Sequence, residues 1–151
     1  MSGHQAENVR TVENLAHEGK VDAAAKALHE MPLAERLAVA KQIRMDEMSK
    51  SDPSLPKLEF TNNGDLKSAD IALKDGPVVH NEYNPNTGNV KSREYKDDDG
   101  SVKHAEYNSA GEHSTLISVD TRRTDGTVVH RAVDHKTGQL TYVGTTHTAS
   151  H

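Results

Sequence analysis

Three histidines hold equivalent places in three copies of one short motif: Asp75-Gly-Pro-Val-Val-His80, Asp99-Gly-Ser-Val-Lys-His104 and Asp125-Gly-Thr-Val-Val-His130, spaced by 24 and then 26 residues. Imidazole is both a common transition-metal ligand and the side chain that titrates nearest neutrality, so three of them suggest a metal centre or acid–base chemistry. Each histidine follows Val78, Val102 or Val128 by two residues, a spacing that puts Val and His on one face of a strand. Equivalent positions in successive hairpins lie two strands apart, about 9.6 Å at the usual strand spacing. Zinc needs its ligand atoms about 2.1 Å away, so these residues predict a histidine face with no shared ion, and neither metal nor cofactor. A metal site on that face would need partners from intervening strands, such as Glu94 or Asp120.

The remaining candidates for chemistry have structural readings. His147 and His151 stand four apart, a spacing that binds metal only on a helix, and Thr146, Thr148 and Ser150 disfavour one, so residues 147–151 read as a tail. Asp97-Asp98-Asp99-Gly100 lacks the alternating ligands and distant glutamate of a calcium loop and reads as a solvated hairpin turn. Ser92, Ser101, Ser114 and Ser118 belong to no nucleophile elbow, and no Gly-rich loop leads from a strand into a helix to cradle phosphate. With no cysteine, thiolate metal sites, disulfides and cysteine nucleophiles are all excluded.

Composition narrows the partners. Residues 1–56 carry 7 Lys and Arg against 9 acids and residues 57–151 carry 11 against 14, so neither half offers the basic stripe that dominates nucleic-acid affinity. A weaker candidate for an anionic partner is the group Arg122, Arg123 and Arg131. The first thirty residues hold no apolar run of signal-peptide length, and no stretch approaches the about 18 apolar residues of a membrane span. The expectation is a soluble chain without membrane contact, cytoplasmic by default, with export by a route independent of a signal peptide left open. Leu, Ile, Val and Phe make up only 27 of 151 residues, so the core must be thin, but a net charge of −5 and periodic placement of those residues argue for order.

The elements that carry these residues follow from periodicity. Residues 5–49 read as helix in three pieces: Val9, Val12, Leu15 and Ala16 on the first, Gly19 as a stop, Asp22 to Glu30 as the second, and a third beginning near Leu33. On the third, Leu33, Leu37, Ala40 and Ile43 form the expected buried stripe, with Glu35, Arg36, Lys41 and Arg44 facing elsewhere. Two prolines within Ser49–Pro56 end the helix, making residues 51–56 a linker after a helical segment spanning 1–50. From 57 to 146 eight short β-favouring runs alternate with Gly-, Asn- and Asp-rich turns of 2–6 residues, which predicts antiparallel hairpins in a meander. The fold class is therefore α+β, three N-terminal helices followed by a sheet of about eight strands built from hairpin repeats.

Aligning the copies brings out the turns. Asn84, Asn108 and Asp134 follow the motif Asp by nine residues, and Gly88, Gly111 and Gly138 close each turn. The Asn or Asp is expected to bond its own backbone two residues on, and all three glycines to take positive φ. The stretches Tyr83-Asn-Pro-Asn-Thr-Gly88-Asn-Val90, Tyr107-Asn-Ser-Ala-Gly111 and Val133-Asp-His-Lys-Thr-Gly138-Gln-Leu140 resemble the tyrosine-aspartate repeats of bacterial Rhs-type proteins, over about residues 75–143. The resemblance implies a β-hairpin array of the kind found in cell-surface and toxin-carrying proteins. The chain departs from that pattern, with Val133 in place of Tyr and too few units to enclose a cargo.

Taken with the scarcity of chemical signatures, these features predict a non-enzymatic binding or structural module that engages a protein partner, or a segment of its own parent chain, through the sheet surface or edges. The competing reading is a small metal-dependent hydrolase using the histidine face.

Overall fold

A computed structural model describes residues 3–49, 55–73 and 77–147. Three helices, α1 (Gly3–His17), α2 (Val21–Glu30) and α3 (Leu33–Ser49), precede eight strands. These are β1 (Lys57–Phe60), β2 (Leu66–Ala72), β3 (Val78–Tyr83), β4 (Val90–Lys96), β5 (Val102–Asn108), β6 (Thr115–Arg122), β7 (Thr127–Val133) and β8 (Leu140–His147). The strands form one sheet in the order β1 to β8, every pair antiparallel and adjacent in sequence, so the α+β meander expected from the pattern is present. Asp75 and Gly76 of the first motif copy, residues 51–54 and His151 lie outside the described residues, whereas His147 belongs to β8.

Local chemistry sets the helix boundaries. Gly19 takes φ +82° and its N–H bonds Ala16 O at 3.1 Å while Lys20 N–H bonds Leu15 O at 2.8 Å, a reversal that closes α1 and frees α2 to turn back. Pro32 accepts Arg36 N–H at 2.9 Å, which starts α3 with the one residue whose missing donor costs nothing there. Val21, Ala24, Ala25 and Leu28 make the buried stripe of α2 at helical spacing. The helices and the near part of the sheet share one core: Val12, Leu28, Val39 and Ile43 meet Leu58, Leu66, Ala69, Tyr83 and Val90.

The third helix presents a different face from the one its sequence suggests. Val39, Ala40 and Ile43 are buried, but Leu33 and Leu37 are 50% and 38% exposed. The stripe is displaced because the same turn must bring Arg36 inward to a buried acid. Leu37→Ala is therefore expected to cost less than about 1 kcal/mol in chemical denaturation, well below the 2–5 kcal/mol of a buried leucine.

Three polar clamps seat the helices on the sheet. Asp65, buried in the β1–β2 turn, accepts from Arg36 Nη1 on both carboxylate oxygens at 3.0 Å and lies 3.0 Å from His29 Nδ1. Lys26 Nζ donates to Thr87 O, Asn89 Oδ1 and Glu112 O, each at 3.1 Å, tying α2 to two successive hairpin ends. Asp22, in the first turn of α2, takes Tyr83 OH at 2.7 Å and Arg93 Nη2 at 2.5 Å. Burial and then the neighbouring Asp22 carboxylate push the Tyr83 phenol far above its ordinary value. The side chain of Arg36 is thus directed into the fold, in contrast to its expected outward position.

The hairpin turns repeat with one exception. Asn84 Oδ1 accepts Asn86 N–H at 2.9 Å, Asn108 Oδ1 accepts Ala110 N–H at 3.2 Å and Asp134 Oδ1 accepts Lys136 N–H at 2.8 Å. Gly88 and Gly138 have φ +77° and +72°, each donating to the turn-opening carbonyl at 2.7 Å. Gly111 does not take positive φ. Its loop is held from outside instead: Asn89 Nδ2 donates to Gly111 O at 2.7 Å and Ser109 O at 3.2 Å, Thr87 Oγ1 to Ser109 O at 2.6 Å and Ser114 Oγ to Val90 O at 2.7 Å. With its carbonyls satisfied by the preceding hairpin, the loop needs no left-handed residue to close on itself.

Candidate functional site: a histidine and carboxylate row on the open sheet face

The helices occupy one face of the sheet, and the three motif histidines lie on the other. Strand register sets them in a single row that runs Lys57, Asp70, His80, Glu94, His104, Asp120, His130, Gly144, each residue opposite the next on the adjoining strand. Acid and base alternate along the row until Gly144. Each histidine has its own carboxylate: His80 Nδ1 is 2.6 Å from Asp70 Oδ1, and His130 Nδ1 is 2.8 Å from Asp120 Oδ1. His104 lies between two, with Nε2 2.5 Å from Glu106 Oε1 and Nδ1 3.7 Å from Glu94 Oε2. His130 Nε2 also reaches Thr146 Oγ1 at 3.0 Å, where β8 supplies a hydroxyl in place of an acid.

Two flanking rows repeat with the same two-strand period. Glu59, Ser68, Glu82, Ser92, Glu106 and Ser118 form one, with Ser68 Oγ donating to Glu59 at 3.1 Å and Ser92 Oγ to Glu82 at 3.3 Å. Val78, Lys96, Val102, Arg122 and Val128 form the other. Cross-strand pairs of opposite charge and hydroxyl–carboxylate pairs stabilise one register against a slip, because a one-residue shift would send every member to the other face.

The geometry decides what chemistry the row supports. An acid beside an imidazole is half of a nucleophile-activating dyad, which also needs a hydroxyl or thiol on the other nitrogen and a hollow for substrate. Of the three, His130 has such a hydroxyl, Thr146, on an exposed rim of the sheet. Among the described residues no cluster of three or more His, Asp or Glu is disposed to hold a metal ion. A cleft of about 470 Å³ lies on the opposite, helix-bearing face, lined by residues of the α1–α2 junction with Ile71, Val79, Asn81, Arg93 and Tyr95.

Electrostatically the row is responsive at His104. The hydrogen bond to Glu106 raises its pKa above the ordinary imidazole value, with further support from the charges of Glu106 and Glu94 against a smaller opposing effect of burial. A raised histidine pKa stabilises the fold below the unfolded-state value, and that contribution is lost as pH rises through the raised one. Because the side chain is over a third exposed, solvent screening holds the contribution under about 1 kcal/mol. Glu106→Gln is expected to move the His104 titration to lower pH, followed by NMR, and to shrink the gain in stability between pH 8 and pH 6. An unchanged midpoint would mean that the Glu106 contact does not form in solution.

The motif spacing puts the three histidines on one face with Glu94 and Asp120 as possible neighbours, and the structure brings all five into one row. The motif alone misses Asp70, Glu106 and Lys57. A signal for Asp70 is present: Ser68-Ala-Asp70, Ser92-Arg-Glu94 and Ser118-Val-Asp120 recur at the same 24- and 26-residue spacing as the histidine motif. No protein-family model matches the chain, and no curated protein matches it in sequence.

Proposed function

We propose that this chain is a non-enzymatic binding module that engages a protein partner through the exposed surface and edges of its sheet. The observation that carries this reading is the one-sided cover. The helices lie against β1, β2 and the β3–β4 hairpin, while the row-bearing face and the far strands stay open, with Ile117, Leu140, Tyr142 and Val143 exposed. Isolated exposed apolar residues are ordinary, but here several gather at one end of the sheet, on or near a strand, β8, that has no neighbour on its outer side among the described residues. The balanced charge and acidic net total favour a protein over a nucleic acid. The hairpin repeats, similar to tyrosine-aspartate repeats, fit a scaffold that presents surface. The histidines, each occupied by its own carboxylate, fit a register-setting and recognition surface better than a hydrolytic centre. Among the described residues no helix is long and apolar enough to cross a membrane.

The test is capture of partners from the native cell followed by binding of the purified partner to two variants. Glu94→Lys alters the open face, and Thr145→Lys alters the far edge. A fall of tenfold or more in affinity for either, with the melting temperature retained, supports the module. Binding insensitive to both, or turnover of ester or phosphoester probes lost on His130→Ala, overturns it.

A further inference from the structure

We infer that β8 pairs with β8 of a second copy of this chain, joining two sheets edge to edge across a two-fold axis at Thr145. This rests on the reading of the sheet edge as a protein-binding surface and narrows the partner to the chain itself. Strand β8 has β7 on one side and no strand on the other among the described residues. Its eight residues, Leu140 to His147, include no Asp, Glu, Lys, Arg or Pro, the residues by which exposed edges are normally protected.

The opposite edge is protected. Strand β1 has four residues, two of them Lys57 and Glu59, and α3 lies against it. Head-to-tail joining of β8 to β1 would therefore set a neutral edge against a charged one that α3 already flanks. Two copies of β8 match in length and charge, and an antiparallel pair of identical strands closes on itself.

The bulge in β8 leaves this edge usable. A one-residue register shift also interrupts the pairing of β2 with β1, of β4 with β3 and of β6 with β5. Each of those strands nonetheless pairs regularly on its far side, through Ser68–Ala72, Ser92–Lys96 and Ser118–Arg122. In β8 the stretch after the shift is Gly144 to His147.

Another histidine-bearing strand of the same repeat fits this stretch poorly, because Gly144 stands where Asp70, Glu94 and Asp120 meet their histidines. A second β8 needs no acid. Opposed residues in an antiparallel pair share a face, so a two-fold at Thr145 sets Thr145 against its own copy, a pair that β-sheets favour, and Gly144 against Thr146, which brings no charge and no clash. One strand pair with its flanking side chains covers roughly half of the about 800 Å² per partner of a standard interface, so the dimer is weak and reversible.

The whole chain contains no cysteine, which makes a single-cysteine test clean. Thr145→Cys is expected to oxidise to a disulfide dimer at least about tenfold faster than Lys57→Cys on the other edge, since directly opposed residues come within disulfide reach. Sedimentation of the unaltered chain should show a monomer–dimer equilibrium that Thr145→Lys shifts to monomer without lowering the melting temperature. A chain monomeric up to about 1 mM, equal oxidation rates at the two edges, or a dimer indifferent to Thr145→Lys would each overturn the inference. If the chain stays monomeric but a captured partner protects β8 from hydrogen exchange, the binding module stands and only self-pairing falls.

Discussion

Asp65→Ala is expected to lower the unfolding free energy by about 3–5 kcal/mol, because it strips the partner from a guanidinium whose side chain is only 13% exposed. For a chain of this length the melting temperature should fall by roughly 10 °C. Asp65 is itself buried in the β1–β2 turn and receives Arg36 from α3 and His29 from α2, so one carboxylate joins these two helices to the start of the sheet. The penalty comes from leaving the cation buried and unpaired, which separates it from the modest net worth of an intact pair. Arg36→Leu in the Asp65→Ala background should therefore recover part of the loss. Urea denaturation of the two single variants and the double variant measures this directly. A loss below about 1 kcal/mol, or a double variant weaker than the sum of the singles, would mean that the helices are held by apolar packing alone.

That clamp marks the boundary of what the sequence discloses. Helix stops, strand number and hairpin order are readable because they depend on local chemistry: Gly19 reverses the chain, Pro32 opens α3, and each Asn- or Asp-headed turn bonds its own backbone. Contacts between distant elements left weaker traces. Arg36 reads as a surface residue of an amphipathic helix, and only the fold reveals that Asp65 waits opposite it. Burying Arg36 rotates α3 and leaves Leu37 partly out of the core, so one ion pair accounts for both departures from the expected stripe on this helix. Gly111 failed for a related reason. Its loop is completed by Asn89 and Thr87 of the previous hairpin, a contact that no reading of residues 108–114 alone could supply. The open-face row lay between these extremes. The histidines stand out as a repeated motif, whereas Asp70 belongs with Glu94 and Asp120 to a second repeat, in the alternate strands, that becomes visible only when both are aligned.

The last expected result compares two glycines that share a turn but not a neighbour. Gly88→Ala and Gly138→Ala each force an alanine into positive φ, which costs about 1 kcal/mol. For Gly138 the account ends there, since a Cβ at that position meets nothing within 4 Å. A Cβ on Gly88 would lie 2.7 Å from His29 Cβ and 3.3 Å from Ala25 O. Neither atom can swing aside, because both belong to the frame of α2, so the helix must lift from the β3–β4 turn and strain the Lys26 contacts to Thr87 and Asn89. Overpacking of this kind adds about 1–3 kcal/mol, giving about 2–4 kcal/mol in all for Gly88→Ala. Adding His29→Gly to Gly88→Ala removes the clashing carbon, and a double-mutant cycle should then return a favourable coupling of about 1 kcal/mol or more despite the cost of glycine within a helix. Since the two turns have the same backbone, any excess at Gly88 measures the seating of α2 on the sheet. Equal losses at Gly88 and Gly138 would place the helix off that turn and remove the basis for a sheet covered at one end and open at the other.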